Sequence, residues 1–403
     1  MTRTPEVDAE PAKKLTDPPP LGFEDNRSTF SRAPGEPFHL LVPRAKMEQQ
    51  QQQQLGVVVA IGAVVLSALY TFLASKSKKP DQAKDKGRRL RSRSEGKQKV
   101  DFTSLQVLYD RKCFGGRQIR YVHESKCCQN KMIFSVYFPP SYKDTEGIKE
   151  SKPIPFVYCL TGLTTSDEYF PTSTGIQKWA SKHDVALVFP DTSPRNTGVE
   201  GESETFEVGT AAGLYLNATK RKWSKWQMYT YVVEELPEIL SANFPRLDRQ
   251  NCTLLGHSMG GCGSLQIYLK NPNKYKGCSC INAVTNPCNG VWGPKPLTAY
   301  LGDNPDSWKK WDPTEVVAKY AGPPLKIWIE QGSEDPYLNF DLLPYNFKEA
   351  ADNNGKRVEV KLTYREGYDH GFACVSSLIE GHLFYHAKIL GRVKEIRKPS
   401  FFD

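Results

Sequence analysis

Cysteine is missing from the first 112 of the 403 residues, and the ten that follow never form a pair of C-x-x-C units. That spacing excludes a zinc ribbon or finger, which needs close ligand pairs. A chain this long can also build a core without a disulfide framework. Several of the thiols sit in apolar, strand-like runs, where a thiol acts as a small hydrophobe, so the expected state is reduced, as suits the cytosol. An excess of base is missing from residues 101–403, which hold 36 Lys+Arg against 34 Asp+Glu. The net charge of +9 comes mostly from residues 1–100, with 18 bases against 11 acids. The folded part therefore has no electrostatic footing for binding nucleic acid. No internal repeat is present.

Apolar periodicity is missing from residues 1–54, which are rich in proline, charge and, at positions 49–54, glutamine. They are expected to be disordered. Acids are scattered through them, which argues against a transit peptide. Met47 is a second candidate start. Charge is then missing altogether from the twenty residues 55–74. Twenty apolar residues at helical rise match a hydrocarbon core of about 30 Å, so residues 55–75 are expected to anchor the chain in a membrane. A signal peptide is the rival reading, and a start at Met47 favours it. Residues 76–100 form a basic linker, with eleven Lys+Arg and three acids. The positive-inside rule puts that side, and the residues beyond it, in the cytosol. The basic stretch is also suited to anionic head groups. Without the extension, the folded part would be cytosolic.

From residue 101 to 403 the pattern is that of one globular domain. Strand-like runs fall at 104–109, 117–123, 132–138, 156–160, 186–189, 252–255, 278–284, 325–330 and 358–364. Helix-like stretches lie between them, at 175–183, 228–244 and 343–353, and another at 378–390 closes the domain. Alternating strands and helices imply an α/β architecture, a mostly parallel central sheet with helices on both faces. The first strands, joined by short turns, imply an antiparallel edge.

Gly256-His257-Ser258-Met259-Gly260 fits Gly-x-Ser-x-Gly, the nucleophile elbow of the α/β-hydrolase fold. A β-prone run precedes it, and a helical run that stops at Asn271-Pro272 follows it. A serine hydroxyl needs a base, and the base needs an orienting acid. In this fold the chain order is serine, acid, histidine. Three histidines follow Ser258, namely His370, His382 and His386. The last two are four apart in the C-terminal helical stretch, where surface or packing roles are expected. His370 stands in a loop after a strand, where open α/β sheets place their chemistry. The acid is Asp335 or Glu334, both in the loop after 325–330. Asp335 lies deeper and precedes a proline. Asp369 adjoins His370, and its side chain is expected to point away. The oxyanion hole needs two backbone N–H groups. Met259 follows the nucleophile and supplies one, and Leu163, in the loop 161–164, is the candidate for the other.

From about Val107 to Leu390 the chain resembles the S-formylglutathione hydrolase (esterase D) family. The matching stretches include Leu160-Thr-Gly-Leu-Thr, Pro190-Asp-Thr-Ser-Pro-Arg195, Met228-Tyr-Thr-Tyr-Val-Val-Glu-Glu-Leu-Pro237, Gly256-His-Ser-Met-Gly-Gly261, Lys270-Asn-Pro-Asn-Lys-Tyr275, Trp292-Gly-Pro-Lys295 and Glu366-Gly-Tyr-Asp-His370. The resemblance implies an α/β-hydrolase, the triad Ser258, Asp335 and His370, and a small-molecule substrate, the thioester S-formylglutathione. It calls for no metal or organic cofactor. Lys295 and Arg195 are candidate bases for the anionic thiol half, and family members are often dimers. The chain departs from the family at Thr165, where many members carry cysteine, and at Phe206, Ala211 and Gly371-Phe372-Ala373-Cys374. The anchor and basic linker have no counterpart in soluble members.

A membrane-tethered carboxylesterase or acyltransferase on short-chain or lipid-like esters is the alternative. A binding protein on the same fold tends to lose a member of the triad, and all three candidates are present. Asn217-Ala-Thr219 and Asn251-Cys-Thr253 are glycosylation sequons. With the domain in the cytosol, both stay unmodified. A glycosidase-sensitive mass shift at either site would overturn that orientation.

Overall fold

In a computed structural model, which describes residues 101, 103–142, 152–355 and 357–393, nine strands form one sheet. The disordered segment, anchor and linker expected within 1–100 lie outside the described residues. Among the described residues, no helix is long and apolar enough to cross a membrane. The strands are β1 (Gln106–Cys113), β2 (Gly116–Ser125), β3 (Asn130–Phe138), β4 (Ile154–Leu160), β5 (Ala186–Pro190), β6 (Leu247–His257), β7 (Cys278–Ile281), β8 (Leu325–Gly332) and β9 (Val358–Arg365). Their order is β1-β2-β3-β5-β4-β6-β7-β8-β9. Pairing is antiparallel from β1 through β3 to β5 and parallel from β5 to β9. The expected antiparallel edge and parallel centre are both present.

Strand alternation splits the core into two layers. Phe156, Tyr158 and Leu160 of β4 point to one face, and Val157 and Cys159 to the other. Helices of eight or more residues among those described are α1 (Ile176–His183), α2 (Leu236–Asn243), α3 (Met259–Lys270), α4 (Pro294–Leu301), α5 (Pro344–Asn353) and α6 (Phe372–Ile389). Residues of α2 to α5 pack into the first layer, and residues of α1 and α6 into the second. A sheet buried on both faces reads as continuous apolar runs, which is why all seven residues of β4 are buried. Each large side chain so buried contributes about 1.5–3 kcal/mol. All ten cysteines are unpaired.

Two boundaries differ from the sequence expectation. β7 stops at Ile281 because Asn282 turns into the left-handed region, with φ of 48°. The expected helix over 228–244 is broken by a π-turn at Tyr231–Glu235. Pro237 has no N–H to return to the Val233 carbonyl, and Lys274 Nζ donates to that oxygen instead. The Glu235 carboxylate meanwhile accepts from the Lys126 and Cys127 backbone N–H groups, at 2.7 and 2.8 Å, and braces the β2–β3 turn.

His382 and His386 are packing residues. Both are fully buried on α6, with the Ser279 hydroxyl between them at 2.7 and 2.8 Å. His382 also bonds Glu330 at 3.1 Å, and Trp328 stacks on its ring. Burial works to raise the Glu330 carboxyl, but His382 and Arg365 outweigh it and hold the group below its ordinary value. Burial, with His382 second, pushes the His386 imidazole well below its ordinary value. Burial likewise pushes His257 down to about 3. Both rings stay neutral in the folded chain, whereas an unfolded histidine ionises near about pH 6.5. The unfolded state therefore binds more protons as pH falls. The stabilisation is complete above that pH and is lost as pH drops toward the folded values. Chemical unfolding from about pH 7.5 down to about pH 5 should show stability falling by up to about 1.4 kcal/mol per pH unit for each such histidine. His386→Leu should flatten that slope even though it lowers overall stability.

Candidate active site

Ser258 stands between β6 and α3 with φ of 55° and ψ of −122°. Such a backbone costs on the order of 1–3 kcal/mol for a non-glycine residue and persists only where its surroundings over-determine it. Here four backbone hydrogen bonds do so. The Ser258 N–H donates to Ile281 at 3.2 Å, and its carbonyl accepts from Gly261, Cys262 and Val284 at 2.9, 3.2 and 3.1 Å. A Cβ on Gly256 would fall 2.3 Å from the Gly260 carbonyl oxygen. A Cβ on Gly260 would fall 2.0 Å from the Leu160 carbonyl oxygen. The first glycine closes the elbow, and the second lets α3 lie against the end of β4.

Strand order reverses around β4, which has β5 on one side and β6 on the other. The carboxyl ends of β4 and β6 thus flank the crevice where such sheets bind ligands. Ser258 follows β6, and the loop 161–164 follows β4. His370 comes from the loop after β9, and Asp335 from the loop after β8. The fold brings all of them together. The Ser258 hydroxyl lies 2.9 Å from His370 Nε2, and His370 Nδ1 lies 2.6 Å from Asp335 Oδ2. A carboxylate only accepts, so Nδ1–H donates to Asp335 and Nε2 is left to accept from the serine. Asp335 is itself held by the Tyr337 N–H at 2.9 Å and Gln331 Nε2 at 3.3 Å. Glu334 is exposed and does not join the array. Asp369 is exposed as well, and its carboxylate accepts from the Gly371 N–H at 2.9 Å.

Two residues that the sequence did not single out hold this array. The Asn282 amide donates to the Asp369 carbonyl at 2.9 Å and accepts from the Gly332 N–H at 2.8 Å. It ties the loop of His370 to the end of β8, just before the loop that carries Asp335. An asparagine just past a strand, where left-handed backbone is tolerated, was the available signal. His257 Nε2 meets the His370 carbonyl at 3.2 Å. Since His257 is neutral, this is one N–H donor with no second positive charge beside His370.

The loop 161–164 backs onto the nucleophile, since a Cβ on Gly162 would lie 3.0 Å from Ser258 Cβ. Among the described residues, neither the Leu163 N–H nor the Met259 N–H has a protein acceptor. The candidate bases are already paired. Arg195 Nε bonds Asp191 at 2.7 Å, and Lys295 pairs with Glu207.

The Esterase family model, described as "Putative esterase", matches residues 125–385. Fold and family together define a hydrolase of the esterase class on an α/β-hydrolase sheet. Curated relatives narrow the class. An S-formylglutathione hydrolase of Arabidopsis thaliana is 44% identical over 290 residues, covering 72% of this chain and 99% of that protein. One of Rattus norvegicus is 40% identical over 288 residues, covering 71% and 99%. The solved structure of an S-formylglutathione hydrolase from Agrobacterium tumefaciens matches with a TM-score of 0.66 at 35% identity, over 71% of this chain and 99% of that one. The chain belongs to the S-formylglutathione hydrolase family.

Gly260→Ala should drive the new methyl into the Leu160 carbonyl and push α3 off β4. A loss of at least about 1–3 kcal/mol in chemical unfolding, together with a fall in esterase turnover, is the expected outcome.

Proposed function

We propose that this chain hydrolyses S-formylglutathione to glutathione and formate, with Ser258, His370 and Asp335 as its triad. The hydrogen-bonded line from Asp335 through His370 to Ser258, in a chain that spans 99% of its thioesterase relatives, carries the reading. Ser258 Oγ attacks the formyl carbon while His370 Nε2 takes its proton. Asp335 orients the ring and stabilises its cation. The Leu163 and Met259 N–H groups receive the developing oxyanion. The carbon–sulfur bond then breaks, and the glutathione sulfur leaves with the proton from His370. An ordinary thiol has a pKa of about 8.5, so the thiolate is a good leaving group and the acid step matters less than it does for an amide. Water, with His370 again as base, attacks the formyl-serine. Formate leaves and Ser258 regains its proton.

In this reading residues 1–54 are an N-terminal lead, 55–75 are a membrane anchor, 76–100 are a basic linker and 101–403 are the catalytic domain, facing the cytosol. The uncharged run and the basic stretch after it support the anchor and its orientation. The uncharged run also favours the second reading, hydrolysis of lipid-like esters at a membrane.

The test is turnover of S-formylglutathione by the full chain in mild detergent, beside short- and long-chain aryl esters and the Ser258→Ala variant. Fast thioester turnover that falls by on the order of 10⁴ or more in the variant is expected. Long-chain ester turnover without thioester turnover would move the substrate to the second reading and keep the triad.

A further inference from the structure

In the reading above, the β4 loop serves the reaction through one N–H, that of Leu163. A trans peptide is a rigid plane with its C=O and N–H on opposite sides. Whatever holds the Gly162 carbonyl therefore also aims the Leu163 N–H. Gly162 has no side chain to restrict its own backbone, so the constraint must come from elsewhere. It comes from Thr165. The Thr165 hydroxyl lies 2.6 Å from the Gly162 carbonyl oxygen and 3.0 Å from the Thr161 hydroxyl. A hydroxyl carries one proton, and a carbonyl can only accept. The single Thr165 proton thus goes to the nearer acceptor, the Gly162 carbonyl, with the Thr161 hydroxyl oxygen as a second, longer acceptor.

Thr165 is itself fixed from behind. Its carbonyl accepts from Arg195 Nη2 at 2.6 Å and from the Thr192 hydroxyl at 2.8 Å. Arg195 in turn grips the buried Asp191 through Nε and Nη2, at 2.7 and 2.8 Å. The next residue back, Thr164, sits at φ of 64° and donates its N–H to Ala211 at 3.1 Å. On the other side of the Gly162–Leu163 peptide the Thr161 carbonyl accepts from the Tyr215 hydroxyl at 3.0 Å, so the loop is held at both ends of a short span. Thr165 is buried. Arg195 takes part in this bracing through Nε and Nη2.

We propose that the Thr165 hydroxyl is a positioning residue for the oxyanion hole, part of a clamp that runs from Asp191 through Arg195 and Thr165 to the Gly162–Leu163 peptide. The claim rests on the assignment of Ser258 as nucleophile and Leu163 as donor. A serine at position 165 keeps the bond, a cysteine replaces it with a weaker S–H donor, and a valine removes it at equal shape.

The experiment measures, on the full chain, the rate at which a fluorophosphonate labels Ser258, with kcat and KM for a short-chain aryl ester. The variants are Thr165→Val, Thr165→Cys and Thr165→Ser, each with a melting curve. Losing an oxyanion donor outright costs about 10²–10³-fold in rate, so a misaimed donor should cost about 10- to 100-fold. The clamp predicts that loss in labelling rate and kcat for Thr165→Val, with KM little changed. Thr165→Cys should fall between Thr165→Val and the parent, and Thr165→Ser should match the parent. The inhibition constant of a trifluoromethyl ketone, which forms a tetrahedral adduct on the serine, should rise by the factor that kcat falls. A purely structural role would lower melting temperature and leave the kinetics of the folded protein alone. Should Thr165→Val not fold, the order of Thr, Ser and Cys carries the test. A folded Thr165→Val or Thr165→Cys variant that labels as fast as the parent overturns the clamp alone. A parent whose Ser258 is not labelled overturns the nucleophile assignment and the clamp with it.

Discussion

The close approach of the Gly260 backbone to the Leu160 carbonyl oxygen is the constraint on which the site depends. That contact presses the start of α3 against the end of β4. Just before that helix, Ser258 holds a left-handed backbone with φ of 55°. The strain is small beside the burial energy of a nine-stranded sheet packed on both faces. Four backbone hydrogen bonds to Ser258, two of them reaching β7 and the residues beyond it, keep the strain from relaxing. Ser258 is therefore positioned by the packing of the whole sheet and not by its own loop.

The same contact brings the β4 loop against the serine. Gly162 lies so close to Ser258 that a methyl at its α-carbon would touch the nucleophile's Cβ. Two strands that are adjacent in space, yet far apart in sequence, thus deliver the hydroxyl and an N–H donor to one place. On the opposite flank, Asn282 links the loops of acid and base by accepting from one and donating to the other. The site is a set of loop ends tied together by buried amides and hydroxyls. Such ties are costly if half made, because a buried polar group left without a partner loses on the order of 1–3 kcal/mol.

The histidines show how burial divides labour among chemically equal groups. His370 is partly open and faces both a carboxylate and a hydroxyl. His257 and His386 are buried, held neutral, and used as hydrogen-bonding elements of the core. His382 is equally buried but has Glu330 as a partner. Spacing in the sequence separated His370 from the C-terminal pair, because a loop after a strand differs visibly from a helical run. It did not reveal that Ser279 lies between the pair. That serine is more than a hundred residues earlier, and only the packing of α6 on β7 brings it there.

Local chemistry was enough to read the alternation of strands and helices, the antiparallel edge, the elbow at Ser258 and the order of serine, acid and histidine. Each of these follows from short-range sterics or from a pattern a few residues long. Choosing between Asp335 and Glu334 was different, since neighbouring side chains in a loop diverge, and the direction each takes depends on what β9 places opposite. The partners of Asn282 and Thr165 were out of reach for the same reason. An asparagine after a strand and a threonine in a loop are ordinary until their partners are known, and those partners come from β8, β9 and the β5 loop. Hydrogen bonds between loops depend on how the sheet orders its strands, and strand order is a property of the folded chain as a whole.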